Sequence, residues 1–568
     1  MVTYNDPDQG TSLAAATPDG ASLDSESLDS ESLDSESLDS AGQRRSWAER
    51  INGLRAGQTW PAWISSVLRR HWLAVALLTA GLVMRIITQL AYSPAILYID
   101  SVKYLYNAWV GADPVGYKVP LKLILSFGDL GTVAAFQHLC GLGMGVLIYV
   151  LLQRRGVNRW LAALAMAPIL LDGYQLQAEQ TIMPDVIFEA MILLAFAVLL
   201  WKPRATWRTV IVTGLILGLA VTMREVGLFL IVPGLIYLIF TRGDWPREEL
   251  VGKGMAMVAA FLVPIFVYAG YAEATTGSFS LSTKGTAAGR MAEAVDCKTI
   301  KLPAAVRPLC PTPAEQKQSP DWFDHAAASP LLHTSGVTAA QQAILLSEFD
   351  HAVETQQPLR VVSSILRDSI RVFEVDRTPT LAITPIYRWQ FQTHFPTFKG
   401  VIEVRRGGTI VLGVQVHHSQ PFHYHKLPAS WGGKAKVIKP LASFLRSYQL
   451  NGGYTPGPLL LLFTIFGLIG SLIALVTRWS SPRGRSTAYA ALFCFVAGAG
   501  LLLVADLYVF SWRYQLMALV TLPLAGVLGF SALLDVLRHR RSGGSAVAAD
   551  PASTGLPAST ASADATVA

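Results

Sequence analysis

Four carboxylates stand at the edges of apolar segments in the first third of the chain. Asp100 follows one such segment, Glu179 shortly precedes another, and Asp185 and Glu189 lie inside that second segment, one helical turn apart. Acids in a membrane segment are costly, so their presence favours a functional site. We therefore predict that Asp100, Glu179 and Asp185 form an acidic catalytic set, with Glu189 among the substrate-binding residues.

Two arginines complement these acids. Arg224 in TMREVGLFL and Arg513 in FSWRYQL lie at helix ends in apolar surroundings. A guanidinium fork suits a phosphate group, so we predict that both bind an anionic substrate, with Lys103 and Tyr514 nearby. The alternative is that both arginines only reach towards lipid headgroups.

Three of the four acids also have a structural interpretation. Asp100 suits the N-cap of an interfacial helix over Ser101–Trp109, and Asp185, behind Pro184, suits the positive end of a helix dipole. Glu189 could form a hydrogen bond inside the helix bundle, to Arg224 or Lys103.

Histidines suggest a weaker possibility of metal binding. The segment HHSQPFHYH contains His417, His418, His423 and His425, but its spacing fits no standard zinc pattern. We predict no metal ligands and name no cofactor. A divalent metal ion is the one cofactor that the sequence leaves as an alternative. The chain has no Walker A, GxGxxG, CxxC or GxSxG motif, which argues against nucleotide hydrolysis and serine catalysis.

Composition indicates a membrane protein. Of 568 residues, 52% are hydrophobic and 15% are charged, and the mean hydropathy is +0.39. The net charge of +7 comes from basic clusters beside apolar segments. Such clusters set the orientation of membrane helices, so we predict no nucleic-acid partner.

The fold class predicted is a polytopic α-helical membrane protein with about ten transmembrane helices and an inserted α+β extracytoplasmic domain. A helix that crosses the hydrocarbon needs about 20 residues. The apolar segments that approach this length are Trp72–Tyr92, Gly131–Leu152, Trp160–Leu171, Pro184–Trp201, Trp207–Met223, Val226–Thr241, Gly254–Ala272, Pro458–Val476, Ala488–Leu507 and Tyr514–Leu537.

Basic residues in every second loop predict the orientation. By the positive-inside rule these loops are cytoplasmic, which places both termini inside and the large loop outside the cytoplasmic membrane. The basic residues are Arg69, Arg70, Arg154, Arg155, Arg159, Lys202, Arg204, Arg208, Arg242, Arg247, Arg478, Arg483, Arg485, Arg538, Arg540 and Arg541.

These features divide the chain into five regions. Residues 1–70 are a disordered tail with SLDSE repeats and a basic segment, and residues 542–568 are a second disordered tail. Residues 71–272 and 458–541 hold the membrane helices. Residues 273–457 form the extracytoplasmic domain, with a helical pattern at Pro358–Phe373 and a strand at Thr409–His417.

Two of the four cysteines form the candidate disulfide. Cys297 and Cys310 lie in the polar segment expected outside the cytoplasm, where the environment is oxidising.

Four motifs give the chain a family resemblance. They are IDSVKYLYNAW, AEQTIMPDVIFE, LGLAVTMREVGLFLIVP and SWRYQLMALVTLPLAG. In order and sidedness they resemble the GT-C superfamily of membrane glycosyltransferases, which includes protein O-mannosyltransferases, lipid A aminoarabinose transferases and actinobacterial arabinofuranosyltransferases. The resemblance covers Trp72–Thr275 and Pro458–Leu537.

The resemblance implies a donor and roles for the site residues. It implies a polyprenyl-phosphate sugar as donor, membrane lipid as a partner, and a glycan, lipid or protein as acceptor. Asp100 matches the acid of the first outer loop, Glu179 and Asp185 are similar to the second acidic site, and Arg224 and Arg513 would hold the phosphate. The first loop has a single Asp100 where protein mannosyltransferases have an Asp-Glu pair, which argues against protein O-mannosylation.

A simple mechanism agrees with this resemblance. Asp100 would act as base for an acceptor hydroxyl, a cation would stabilise the departing phosphate, and a single displacement would invert the anomeric centre. Two alternatives remain at this point: a transporter or flippase of envelope precursors, in which the acids form an ion path, and a non-catalytic envelope-binding scaffold.

Overall fold

A computed structural model describes residues 60–111, 113–243, 245–282, 287–332, 337–416 and 421–547. Of the described residues, 60–70 belong to one compact unit and 71–547 to a second. In the first unit the structure describes one helix, α1. The tails predicted at the two ends lie largely outside the described residues.

The second unit is mainly helical. Its helices follow the apolar segments of the sequence, and shorter helices lie between them. Helix α1 of the first unit is Trp60–Arg70. The helices of the second unit are α2 Trp72–Ala91, α3 Ser101–Tyr106, α4 Lys118–Leu125, α5 Leu130–Arg154, α6 Arg159–Leu171, α7 Gly173–Gln180, α8 Asp185–Leu200, α9 Trp207–Met223, α10 Ile231–Phe240, α11 Arg247–Thr276, α12 Ala288–Ala294, α13 Pro320–His325, α14 Ala339–Gln356, α15 Pro358–Ile370, α16 Lys439–Leu450, α17 Gly457–Ile465, α18 Ser471–Val476, α19 Pro482–Tyr508 and α20 Ala518–Val547.

Among the described residues, six helices are long and apolar enough to cross a membrane, so the chain is a helical, multi-pass membrane protein. The six are Trp72–Ala91, Leu130–Arg154, Arg247–Thr276, Gly457–Val476, Pro482–Tyr508 and Tyr514–Arg541. Three shorter apolar helices are Arg159–Leu171, Trp207–Met223 and Glu225–Phe240. Each of the ten apolar segments of the sequence coincides with a helix, but several helices are shorter than a full crossing requires.

Helix α20 forms the centre of the bundle. In the most apolar stretch of this helix 83% of the residues are buried, against 22% for α2. A helix that is apolar on all sides is suited to a protein core or to a membrane. Other helices therefore surround α20, and α2 lies at the periphery of the bundle.

The strands are short and lie near one end of the bundle. Tyr92–Ser93 (β1) pairs antiparallel with Lys436–Val437 (β5). Ile402–Val404 (β2), Ile410–Val414 (β3) and His423–Lys426 (β4) form an antiparallel sheet in the order β2-β3-β4. The strand expected at Thr409–His417 is thus shorter, and the helix expected at Pro358–Phe373 ends at Ile370 before a 3-10 turn.

Residues 273–457 share the compact unit of the membrane helices. Ile386, Trp389 and Ile402 are buried in the same core as the bundle, whereas Phe323 and Phe349 belong to a smaller core of this segment. The segment therefore packs closely on the helices. The sulfur atoms of Cys297 and Cys310, predicted as a pair, are joined in a disulfide.

Candidate functional site

Backbone hydrogen bonds bring the segments of Asp100 and Asp185 together. The loop after α2 runs beside the residues between α7 and α8, where Ile96 donates to Gln180 (3.0 Å) and Ile182 donates to Ile96 (3.0 Å). We call this end of the bundle, where α2 and α9 end and α8 begins, the site end. These contacts place both carboxylates at the site end.

Arg513 joins the two acids. Its Nη1 donates to Asp100 Oδ2 at 3.0 Å, and its Nε donates to Asp185 Oδ1 at 2.9 Å. The Arg513 side chain is only 6% exposed. The hypothesis that Arg513 only reaches towards lipid headgroups is therefore wrong, because the guanidinium is buried between two carboxylates.

Arg224 also pairs with Asp185. Its Nη1 donates to the same Oδ1 atom that accepts from Arg513. The other carboxylate oxygen, Oδ2, is buried and has no hydrogen-bond partner among the described residues. Asp185 therefore keeps one acceptor atom unused.

Lys103 completes the charged group on the side of Asp100. Its Nζ lies 3.0 Å from Asp100 Oδ1 and also donates to Asp113, a residue that the sequence analysis did not select. We name this group the ion-pair cluster. It combines three carboxylates with three cations: Asp100, Asp113, Asp185, Lys103, Arg224 and Arg513.

Asp100 does not cap α3. It occupies the position before Ser101, but its side chain makes no capping hydrogen bond. Burial alone would raise the pKa of the Asp100 carboxyl, but Lys103 and Arg513 outweigh burial and hold the pKa well below its ordinary value. Asp100 is therefore ionised at neutral pH and bound by two cations.

Aromatic rings surround the arginines. The Tyr514 ring centroid lies 4.6 Å from Arg224 Cζ and 5.4 Å from Arg513 Cζ. Trp389, from the 273–457 segment, lies 5.2 Å from Arg513 Cζ and packs on Tyr98 at 4.5 Å. Rings at these distances attract a guanidinium and fix its plane. Trp389 gave no signal in the sequence, because it is about 125 residues from Arg513.

Glu179 lies in a different group. It is fully buried in α7, where it accepts from Arg85 Nη2 (2.7 Å) and from His138 Nδ1 (2.8 Å). Residues 173–180, between two of the predicted apolar segments, form a buried helix, so Glu179 is shielded from solvent. Arg85 and His138 were detectable, since both are ionisable residues inside apolar segments.

Glu189 belongs with Glu179. Its Oε2 accepts from Gln175 Nε2 at 3.0 Å, and the same nitrogen lies 3.3 Å from Glu179 Oε1. The partners expected for Glu189, Arg224 and Lys103, are thus replaced by Gln175. The two buried acids form a second polar group that is joined through one amide.

The histidine segment gives no metal centre in the part that the structure describes. His423 and His425 are exposed on β4, and the His425 ring stacks on Tyr106 at 5.3 Å. His417 and His418 lie outside the described residues. Across the described ranges, no three His, Cys, Asp or Glu side chains are grouped to hold a metal ion.

The site is thus a buried salt-bridge cluster at one end of a membrane helix bundle, with aromatic walls and a carboxylate oxygen left unpaired. Residues 121–271 match the family model of dolichyl-phosphate-mannose-protein mannosyltransferases. The matched segment contains Asp185 and Arg224. The resemblance to GT-C membrane glycosyltransferases is confirmed by this match.

Several solved structures are similar to the chain. The S. cerevisiae protein O-mannosyltransferase Pmt1-Pmt2 complex bound to the sugar donor has 20% identity over 42% of this chain and 38% of that chain, with a TM-score of 0.31. The oligosaccharyltransferase AglB from Archaeoglobus fulgidus has 12% identity over 85% and 53%, with a TM-score of 0.38. ArnT from Cupriavidus metallidurans in the apo state has 14% identity over 84% and 79%, with a TM-score of 0.29.

The aligned part spans 38% of the length of the first of these chains. No curated protein matches the sequence.

Proposed function

We propose that this protein is a membrane glycosyltransferase that transfers a sugar from a polyprenyl-phosphate donor to an acceptor at the extracytoplasmic face of the cytoplasmic membrane. The observation that carries the proposal is the position of Arg513, which contacts both Asp100 and Asp185. Such a site offers cations for a phosphate and carboxylates for a hydroxyl within a few ångströms of each other. The family match over residues 121–271 supports the same donor class.

The proposed topology has about ten spans. Alternate ends of successive apolar helices meet away from the site end, where Arg155 donates to the Leu200 carbonyl oxygen (2.8 Å), to Ser486 Oγ (3.2 Å) and to the Tyr237 hydroxyl (3.2 Å). The basic residues at 154–159 and 478–485 belong to the loops of this opposite end. By the positive-inside rule the site end then faces outwards, and residues 273–457 cover it as an extracytoplasmic segment.

The arginines would hold the phosphate of the donor. Arg224 and Arg513 present planar forks, which bind phosphate oxygens through two parallel hydrogen bonds. Both already lie on a carboxylate, so the donor phosphate would compete with Asp100 and Asp185 for guanidinium groups that are already largely removed from water. As the sugar leaves, negative charge grows on the phosphate, and the fixed guanidinium groups stabilise it.

Asp100 would act as the base for the acceptor hydroxyl. With its lowered pKa the free carboxylate is a weak base. When a phosphate draws Arg513 and Lys103 towards itself, Asp100 loses part of its stabilising charge and becomes more basic. Donor binding would therefore activate the base, and the unused Oδ2 of Asp185 would orient the acceptor by accepting a hydrogen bond.

The reaction would be a single displacement. The acceptor oxygen forms a bond to the anomeric carbon, the bond to the phosphate oxygen breaks, and the proton of the hydroxyl passes to Asp100. One displacement inverts the anomeric centre. Hexose and pentose donors, and glycan, lipid or protein acceptors, fit this scheme equally.

The experiment supplies polyprenyl-phosphate sugars, one sugar at a time, to membranes that contain the protein. Wild type is expected to consume one donor, and Asp100→Asn is expected to lose that activity. Glu354→Gln is the matched control, because Glu354 is an exposed acid on α14. The proposal fails if wild type consumes no such donor, or if Asp100→Asn is as active as the control.

A further inference from the structure

Helix α15 packs through one side only. Val361, Ser364 and Asp368 are buried on that side. Arg290 holds this face by donating to Ser364 Oγ at 2.8 Å and by pairing with Asp368 at 2.8 Å. The helix is therefore firmly attached to the rest of the 273–457 segment.

The opposite side of α15 exposes a row of large aliphatic residues, which we name the apolar stripe. Leu359, Val362, Leu366 and Ile370 are 81%, 49%, 46% and 61% exposed. At about 100° per residue these four side chains fall within an arc of about 80°. An aligned row of exposed aliphatic groups marks a contact with an apolar partner.

Contacts at the C-terminal end of α15 fix its position along the length of the helix bundle. Ser369 Oγ donates to Asp506 Oδ2 at 2.8 Å, and Arg290 Nη2 donates to the Asp506 carbonyl oxygen at 2.6 Å. A Cβ atom on Gly457 would lie 2.4 Å from the carbonyl carbon of Phe373, just after α15. Helix α15 thus ends where α19 ends and α17 begins.

Those two helices also expose apolar side chains. Both belong to stretches long and apolar enough to cross a membrane. Near their site ends Leu461, Leu462 and Tyr508 are 40%, 46% and 42% exposed. A tyrosine at the end of such a helix suits the boundary between headgroups and acyl chains.

We propose that the apolar stripe of α15 lies in the membrane surface at the site end, with its aliphatic side chains among the upper acyl chains. The partner is a lipid surface, and α15 is an interfacial amphipathic helix. Arg360 and Arg367 are exposed beside the stripe, at the height expected for lipid phosphates. Arg360 also donates to the Ala294 carbonyl oxygen at 3.0 Å, and Arg367 pairs with Glu293. The inference rests on the proposed topology and needs no assumption about the sugar or acceptor.

Spin labelling in lipid vesicles tests the proposal. The full chain, with Cys140 and Cys494 changed to alanine, receives one nitroxide at Leu366→Cys or Val362→Cys and is placed in phosphatidylcholine–phosphatidylglycerol vesicles. The control label is Glu354→Cys on α14. Oxygen concentrates in acyl chains and a polar nickel chelate stays in water. The ratio of oxygen to nickel accessibility is therefore expected to be several-fold higher at either stripe position than at the control.

Two results would overturn the proposal. Equal ratios at the stripe and at Glu354 would show that the stripe faces water. Low accessibility to both reagents, together with spin–spin broadening, would show that another copy of the chain covers it. Neither result depends on donor consumption, so a failure here is distinguishable from a failure of the proposed glycosyltransferase activity.

Discussion

Replacing Arg513 by methionine removes one guanidinium from two carboxylates. The pair with Asp185 is buried, with side chains 6% and 5% exposed, and breaking a buried pair costs about 3–5 kcal/mol. Because Arg224 remains on Asp185, we expect the lower end of this range, about 3 kcal/mol of folding stability. Asp100 is 24% exposed and keeps Lys103, so its share is about 1 kcal/mol or less.

The same change should reduce activity. A hydrogen bond to a charged group contributes about 1.5–3 kcal/mol, and at about 1.36 kcal/mol per decade this is about 10- to 160-fold in kcat/KM for the donor. Arg513→Lys should fall between methionine and wild type. The two acids are bound by different nitrogen atoms of Arg513, and a single ammonium group cannot reproduce both contacts.

Donor consumption per amount of folded protein, together with thermal unfolding in detergent, separates the two effects. Arg405→Met is the control, because Arg405 is 53% exposed and its nearest acid, Glu403, is 3.9 Å away. We expect the control to match wild type in both measurements. If Arg513→Met keeps activity within about twofold and unfolds like the control, the reasoning from charge and burial is refuted.

Three further predictions concern pH, packing and ring contacts. The folded-state pKa of Asp100 is lowered, so ionised Asp100 stabilises the fold above its unfolded-state pKa of about 4, and this stabilisation is lost as the pH falls below that value. The unfolding temperature should therefore drop below about pH 4, and it should drop less steeply in Asp100→Asn. A Cβ on Gly141 would lie 2.0 Å from Glu179 Oε1, so Gly141→Ala should lower the free energy of unfolding by about 1–3 kcal/mol, whereas Gly143→Ala, with nothing within 4 Å, should not. Tyr514→Leu should raise the donor KM about two- to fivefold through the lost contacts with guanidinium groups, and Tyr514→Phe should not, as steady-state kinetics would show.

The helices were predictable because a membrane segment is a local property of the sequence. Apolar runs that approach about 20 residues sufficed to locate the six helices that are long and apolar enough to cross a membrane. They did not locate α14, which has 18 residues but no apolar run. Asp185 and Arg513 were found for the same reason, since a charge within or beside an apolar run is conspicuous. The exact ends of helices were less predictable: α11 extends to Thr276, beyond the apolar segment, because a helix continues as long as its backbone is satisfied.

The composition of the site was only partly predictable. Asp113 and Trp389 lie near the ion-pair cluster because the chain folds back on itself. Neither residue belongs to a periodic sequence pattern that would have marked it. Glu179 was assigned to the catalytic set because it lies just before an apolar segment and is similar to the second acidic site of the GT-C superfamily. Its burial in α7 had no signal in the sequence, because that helix is short and rich in glutamine. Its partner Arg85 lies 94 residues earlier, and only the packing of α2 against α7 shows that the charge is compensated.

The position of Arg513 also has a consequence for biogenesis. It lies 413 residues after Asp100 and 328 after Asp185, so both acids are synthesised and placed in the membrane long before their shared counter-charge exists. Arg513 arrives with the segment that leads into α20. A chain truncated before residue 513 would therefore leave two neighbouring anions without it, and the proposed place for the donor phosphate forms only after residue 513 has been synthesised.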